Sequence, residues 1–290
     1  MIYAVTSDWH ANLPAVRATL EDARKEGADR IICLGDVLGY GPKPIECLDL
    51  AMQECSLVTS GNHERAIIDG TNGFNIYAAL MILWTREQIL KKGGHDENDN
   101  PYLKYISELH TMDCFGEYFC AHGALTHPTD HYITPEQFGN SPDPTLVENF
   151  NMVNGLTFIG HLHIPFIGFS PKYCECSIKH DRVFELNASD RIFVNVGSVG
   201  QARDGSHAAT YALVENGRVR LRRVRYDHEA AKDDYRSSGI NEWVKQYEAI
   251  GHNPGVLAKL TGGILGSKKG PTNPHRDLED YLIERINGIS

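Results

Sequence analysis

Near its N-terminus this chain twice leaves a short apolar run, turns on a glycine and at once presents a carboxylate or an amide. Ile31-Ile32-Cys33-Leu34 runs into Gly35-Asp36, and Leu57-Val58-Thr59 runs into Ser60-Gly61-Asn62-His63-Glu64. Continuous apolar runs of this length, bounded by turn residues, read as strands buried on both faces. Ligands of open α/β sheets bind in the crevice beyond the carboxyl ends of such strands. The pattern recurs. Ile2-Tyr3-Ala4-Val5 leads to Ser7-Asp8-Trp9-His10, Tyr118-Phe119-Cys120-Ala121 to His122, and Leu156-Thr157-Phe158-Ile159 to Gly160-His161-Leu162-His163. The residues delivered are Asp, Asn and His, a set that holds divalent metals.

Helical patterns separate the first strands. Pro14 and Gly27 bracket a helix that keeps Val16, Leu20 and Ala23 on one face, and a second helix starts near Pro42 with Ile45, Leu48 and Met52 inward. This β-α-β-α-β alternation predicts a parallel core with right-handed crossovers. Residues 72–110 break the rhythm with an apolar helix over Phe74 to Leu90, a polar loop over Lys91 to Asn100 and a helix over Pro101 to Leu109. The block is expected to form a helical layer that overhangs the site. From about residue 165 the chain turns strand-rich, with short strands at Ile178, Val183 to Leu186, Ile192 to Val196 and Thr210 to Val214. Asn216-Gly217 signals a type I′ hairpin. Arg218, Arg220 and Arg222 alternate with Val219 and Leu221, a half-buried strand whose arginine face is read as solvated rather than as a dock for an acidic partner. Residues 229–290 look helical, with breaks from Gly266 to Pro274, and form an appendage or dimerisation element beside a domain of residues 1–228. A homo-oligomer is left open.

Composition narrows the partners. Hydrophobic content of 41% in 290 residues is enough for a substantial core. The formal net charge of −10 argues against general nucleic-acid binding. It leaves a phosphate ester substrate open, because bound dications reverse the local sign. Of the seven cysteines, Cys33 and Cys120 sit in apolar runs as small buried residues, and Cys174-x-Cys176 lacks the second pair of a zinc site. The N-terminus shows no signal-peptide pattern, and no apolar run approaches the roughly 20 residues that span a bilayer. The expectation is a cytoplasmic protein with no membrane partner.

The chemistry comes from assembling the strand ends. Asp8 and His10 share a loop, Asp36 offers a carboxylate able to bridge, Asn62 an amide oxygen, and His122, His161 and His163 three imidazoles. Each piece alone is weak, since a lone Asp-x-His or His-x-His is usually a surface turn. Together they converge on one sheet edge. A catalytic tetrahedral ion takes about three protein ligands, so this set fits two ions sharing a carboxylate, about 3.5–4 Å apart. The mixed nitrogen and oxygen shell suits two transition-metal ions per chain, manganese first and iron, nickel, zinc or cobalt after it, better than magnesium or calcium.

In order and in ligand type, Ser7-Asp8-Trp9-His10, Gly35-Asp36, Gly61-Asn62-His63-Glu64, Ala121-His122-Gly123 and Gly160-His161-Leu162-His163 resemble the five motifs of the calcineurin-like metallophosphoesterases. The resemblance covers roughly residues 1–225. It implies a four-layer α/β/β/α sandwich of two mixed sheets flanked by helices, with a dinuclear site at the strand ends. It also implies that Asp8, His10 and His163 hold one ion, that Asn62, His122 and His161 hold the other, and that Asp36 bridges. His63 resembles the family's catalytic histidine, placed to protonate or stabilise the leaving oxygen, while Glu64 starts the following helix. The implied reaction is in-line attack on phosphorus by a metal-bound hydroxide.

Departures from the family bear on substrate. After Gly35-Asp36 the chain reads Val37-Leu38-Gly39-Tyr40, where the protein-phosphatase branch carries Asp-Arg-Gly with a phosphate-gripping arginine. The stretch from Asn195 to Gly205 resembles the glycine-serine loop of the small prokaryotic phosphodiesterase-like branch. Arg203 in that loop and Tyr40 are candidate substrate contacts, and His127 and His131 read as surface residues. The favoured function is hydrolysis of small phosphodiesters or phosphomonoesters, nucleotides among them. The alternatives are a phosphoprotein phosphatase and a non-catalytic metal-binding scaffold of the same fold.

Overall fold

A computed structural model describes residues 1–249 apart from 154, 177, 179, 180 and 187–189, with no side-chain detail for 246–249. The Gly266 to Pro274 breaks therefore lie outside the described residues. The elements run β1 (Tyr3–Thr6), α1 (Leu13–Lys25), β2 (Arg30–Cys33), α2 (Pro44–Glu54), β3 (Cys55–Val58), α3 (Asn62–Asp69), α4 (Ile76–Gly93) and α5 (Pro101–Glu108). They continue with β4 (Met112–Phe115), β5 (Tyr118–Ala121), α6 (Pro144–Met152), β6 (Leu156–Ile159), β7 (Phe166–Ser170), β8 (Tyr173–Glu175), β9 (Arg182–Glu185), β10 (Ile192–Asn195), β11 (Ala209–Glu215), β12 (Arg218–Val224), α7 (His228–Arg236) and α8 (Ile240–Ala249).

The strands form two six-stranded sheets, ordered β3-β2-β1-β11-β12-β9 and β4-β5-β6-β10-β7-β8. Both are mixed. β1, β2 and β3 run parallel while β11 joins β1 antiparallel. β5, β6 and β10 run parallel between antiparallel edges. The expected four layers follow from side-chain alternation, because successive strand residues point to opposite faces. Val5, Ile32, Ala212 and Leu221 of the first sheet meet Phe158, Ile167 and Val194 of the second in the central core. Their neighbours face outward: Ala4 and Leu213 pack on Val16 and Leu20 of α1, and Ile159 and Phe193 pack on Leu146 and Phe150 of α6. Strands buried on both faces cannot alternate polar with apolar, and this is why they read as continuous apolar runs.

Local signals placed several boundaries. Asn12 accepts the Ala15 N–H at 3.4 Å to cap α1, and Gly27 takes φ +81° just past its end. Asn216 and Gly217 join β11 to β12 with φ of +50° and +78°, the type I′ geometry the dipeptide predicts. α2 starts at Pro44 rather than Pro42, because Gly41 is tied back by its N–H to the His10 carbonyl at 2.9 Å. Ile178, expected on a strand, is instead a buried loop residue of the central core. The edge strands β4 and β8, the inner strand β7 and helix α6 lie outside the expected set. The start of α6 was nonetheless written in Asp143-Pro144, where Asp143 accepts the Thr145 N–H at 2.8 Å.

The helical block does lie over the sheet edge. Asn75, not Phe74, begins α4, since its side chain accepts the Ala78 N–H at 3.0 Å. Residues Asn72 to Asn75 are thereby left as a loop that reaches the strand ends. α7 and α8 pack back on the same block through Tyr235, Ile240 and Val244 against Leu80, Met81 and Trp84. The arginine face is solvated only at Arg218, which pairs with Glu185 in the open; Arg222 pairs with Asp22 at 2.9 Å and Glu26 at 3.0 Å, and Arg220 with Glu26. Asp22 of α1 and Glu26 just past its end thus take up most of that face. No helix among the described residues is long and apolar enough to cross a membrane.

Candidate dinuclear metal centre

Five of the parallel strands, β1, β2, β3, β5 and β6, end in turns that throw donors toward one point. Asp8, His10, Asp36, His161 and His163 all take positive φ, at 54°, 47°, 52°, 64° and 64°. Left-handed backbone is uncommon for residues with a side chain and costs energy at each position. Concentrated on five donors, it marks a site whose geometry the surrounding fold imposes.

Hydrogen bonds aim the donors. The Asp36 carboxylate accepts the His63 N–H on Oδ1 at 2.9 Å, and Asp8 accepts the His161 N–H on Oδ2 at 3.0 Å. One oxygen of each carboxylate is thereby anchored and the other faces the centre. His10, His122 and His163 place Nδ1 on the carbonyls of Leu38 at 3.1 Å, Leu34 at 2.9 Å and Gln201 at 2.6 Å. An imidazole that donates from Nδ1 presents a bare Nε2. His161 is turned the other way, with Nε2 on the Asp130 carbonyl at 3.3 Å and Nδ1 inward.

The inward atoms test whether ions fit. His10 Nε2 lies 3.1 Å from His163 Nε2, which lies 3.1 Å from Asp8 Oδ1. His122 Nε2 lies 3.1 Å from His161 Nδ1 and 3.3 Å from Asp36 Oδ2. Lone pairs facing lone pairs at such distances repel unless a cation or proton stands between them. Asp8 Oδ1 and Asn62 Oδ1 are buried without a hydrogen-bond partner among the described residues, an arrangement that costs energy unless a further ligand satisfies it. The donors fall into the groups Asp8-His10-His163 and Asp36-His122-His161, and a third group, His10-Asp36-His63, shares one residue with each of them. Asp36 Oδ2 also lies 3.8 Å from His10 Nε2, within reach of both groups, as a bridging oxygen would. The residues fit two ions.

Charge follows the same logic. Burial works against ionisation of Asp8 and Asp36, but the surrounding histidines outweigh it and hold both carboxyls well below the usual range. Burial pulls His10 and His163 down, and His161 down to about 3. At His122 burial is overcome by Asp36, which pushes it up to about 9.

His63 stands apart. Its Nε2 is 4.0 Å from Asp36 Oδ2, and its Nδ1 is buried and unpartnered. Among the described residues no backbone carbonyl aims this ring as one aims each of the other four. It is wedged among rings instead, 4.8 Å from His10 and from Tyr40 and edge-on to Phe74 at 5.4 Å. Gly39, at φ +82°, lies so close that a Cβ there would strike His63 Nδ1. Burial takes the imidazole down to about 4.

His63, Tyr40 and Arg203 all line one cavity of about 360 Å³ above the centre, with Phe74, Asp130 and Tyr132 among its other walls. Arg203 donates to Gln201 Oε1 at 3.0 Å and keeps a buried, unpartnered Nε. His127 and His131 are exposed and stack on each other at 3.8 Å, away from the donor groups.

Two contributions escaped the sequence reading. Glu64, buried, accepts the N–H groups of Asp36 at 2.7 Å, Leu38 at 3.0 Å and Gly61 at 2.9 Å, clamping the Asp36 turn to α3. Burial and nearby Asp36 push its carboxyl up to about 7, against those donors. Tyr132 lies flat on His161. An acidic residue at the third position of α3 is a recognisable capping signal for Glu64; nothing local marks Tyr132. The glycine-serine loop serves the centre as well, since Ser198 Oγ donates to the Asp8 carbonyl at 2.9 Å and the Gly200 N–H to the same oxygen at 2.8 Å.

A two-sheet sandwich carrying these donors at its strand ends is the architecture of a metal-dependent phosphoesterase. The calcineurin-like phosphoesterase family model matches residues 1–183. An uncharacterised protein of Methanocaldococcus jannaschii is 30% identical over 257 residues, covering 86% of this chain and 97% of its own. A metallophosphoesterase of Sphaerobacter thermophilus superimposes with a TM-score of 0.69 at 29% identity, over 91% of this chain and 99% of that one. A hypothetical protein of Pyrococcus horikoshii shares the fold, with a TM-score of 0.58 at 18% identity over 90% and 98% of the two chains. The chain belongs to the calcineurin-like phosphoesterases.

Proposed function

We propose that the protein hydrolyses small phosphodiesters or phosphomonoesters, nucleotides among them, at a centre of two divalent ions with manganese preferred. The observation that carries this reading is Asp36 Oδ2. It lies 3.3 Å from His122 and 3.8 Å from His10, one nitrogen from each donor group, and 4.0 Å from His63 at the floor of the cavity. Asp8, His10 and His163 would hold one ion, Asn62, His122 and His161 the other, with Asp36 between them. Such a pair supplies Lewis acidity that lowers the pKa of water and neutralises phosphate oxygens. Arg203 adds guanidinium donors on the cavity wall, placed to bind a phosphate oxygen. His63 gives a hydrogen bond or a proton to the leaving oxygen, and Tyr40, against both His10 and His63, keeps that ring upright and excludes water.

A cavity of about 360 Å³ walled by Asn72, Phe74 and Tyr132 suits a small ester better than a phosphorylated protein surface. The net charge of −10 likewise favours a small anion drawn in by ions over nucleic acid. The cysteines are all unpaired, as a reducing cytoplasm would keep them. The test is hydrolysis of an artificial phosphodiester and an artificial phosphomonoester by metal-stripped protein, with manganese, nickel, zinc or magnesium restored in turn and bound metal counted. Turnover that tracks two ions per chain is the expected result. Two bound ions with no turnover of either ester would turn the reading toward a metal-binding scaffold.

A further inference from the structure

We infer that Tyr132 is a positioning residue that holds the metal ligand His161 in register, an inference that rests on the dinuclear reading of the centre. His161 differs from the other donor histidines in presenting Nδ1 rather than Nε2 inward, from a backbone at φ +64°. Its edge is held only by a 3.3 Å contact from Nε2 to the Asp130 carbonyl, longer than the bonds that aim His10, His122 and His163. The face of its ring is held by Tyr132, stacked with centroids 3.9 Å apart and planes 7° from parallel. Tyr132 itself is 44% exposed, so its ring is not there to fill a core. Tyr132 and Arg203 line the same cavity above the centre. One side chain therefore covers a donor of one ion and at the same time walls the cavity.

Ring and hydroxyl separate cleanly by substitution. Metal-stripped full-length wild type, Tyr132→Phe and Tyr132→Ala are titrated with manganese by calorimetry and assayed on an artificial phosphodiester. Tyr132→Phe keeps the stack, so both ions should bind as in wild type and kcat should hold. Tyr132→Ala should weaken one of the two ions roughly 10–100-fold while sparing the other, the cost typical of losing a ligand's support. Excess manganese should then restore kcat. An alanine variant that binds both ions with wild-type affinity overturns the inference, and so does a phenylalanine variant that loses metal like the alanine one. Wild type that binds two ions but cleaves neither ester would sink the phosphoesterase reading and leave the titrations to decide this one. Wild type that binds no ion overturns both.

Discussion

Among single residues, the contrast between His63 and the other histidines of the centre separates reaction from metal holding. Four rings are aimed by backbone carbonyls and present a bare nitrogen; His63 is aimed by Gly39 and by its aromatic neighbours. His63→Ala should therefore keep two ions per chain while kcat falls on the order of 10²–10⁴-fold, the range for losing a positioned acid or base. A His63→Ala protein stripped of metal would make the residue a ligand. Gly39→Ala should do comparable harm from outside the donor set. It puts a side chain at φ +82° and into the His63 ring, and displacing a catalytic group by about 1 Å costs on the order of 10²-fold. Wild-type kcat in Gly39→Ala would show that the ring position is not critical.

Secondary-structure elements meet the centre at their ends, and Glu64 is where two of those ends are fastened. It sits in the first turn of α3, where a carboxylate also favours the helix dipole, and it gathers N–H groups from the loop after β2. Glu64→Ala would leave those donors buried without an acceptor, and each orphaned group costs about 1–3 kcal/mol. A loss on the order of 3 kcal/mol, or about 10 °C in melting temperature at roughly 2–4 °C per kcal/mol, is expected by thermal denaturation of the ion-free protein. An unchanged midpoint would mean that the loop is held by something else. Short edge strands were the least legible elements. β4 and β8 are only half-buried and lack the apolar continuity of the central strands, so only pairing with β5 and β7 makes them strands. By contrast, the hairpin at Asn216-Gly217 and the caps at Asn12 and Asp143 are local chemistry and can be read directly.

For the whole molecule, the centre is a buried cluster of carboxylates and histidines that the fold must hold together against its own repulsion. Ion binding should therefore stabilise the entire chain. Manganese at about 100 times its dissociation constant adds roughly 2.7 kcal/mol to a site absent from the unfolded state. The melting temperature should then rise by about 5–10 °C over that in chelator. Asp36→Asn, which removes the oxygen shared by both groups, should abolish most of that rise together with turnover. Equal midpoints with manganese and with chelator in wild type would mean that the donors do not form a metal site.

What the sequence by itself determined was the material of the site and the class of fold. Apolar runs that end in Gly-Asp, Gly-Asn-His or Gly-His-x-His specify buried parallel strands and the donors at their exits, because burial on both faces and the turn chemistry are properties of a few consecutive residues. Tertiary structure alone decided how the donors are used. Asp8 and His163 meet at 3.1 Å across more than 150 positions of chain, and His161 turns Nδ1 inward because Asp130 holds its far edge. Tyr132 joins the centre from a loop with no motif, and Arg220 and Arg222 of β12 are taken up by Asp22 and Glu26 through pairs some 200 residues apart. These choices depend on strand order and on which loops the two sheets bring to the same rim. Contacts between distant segments set them, and no short window of sequence contains both partners.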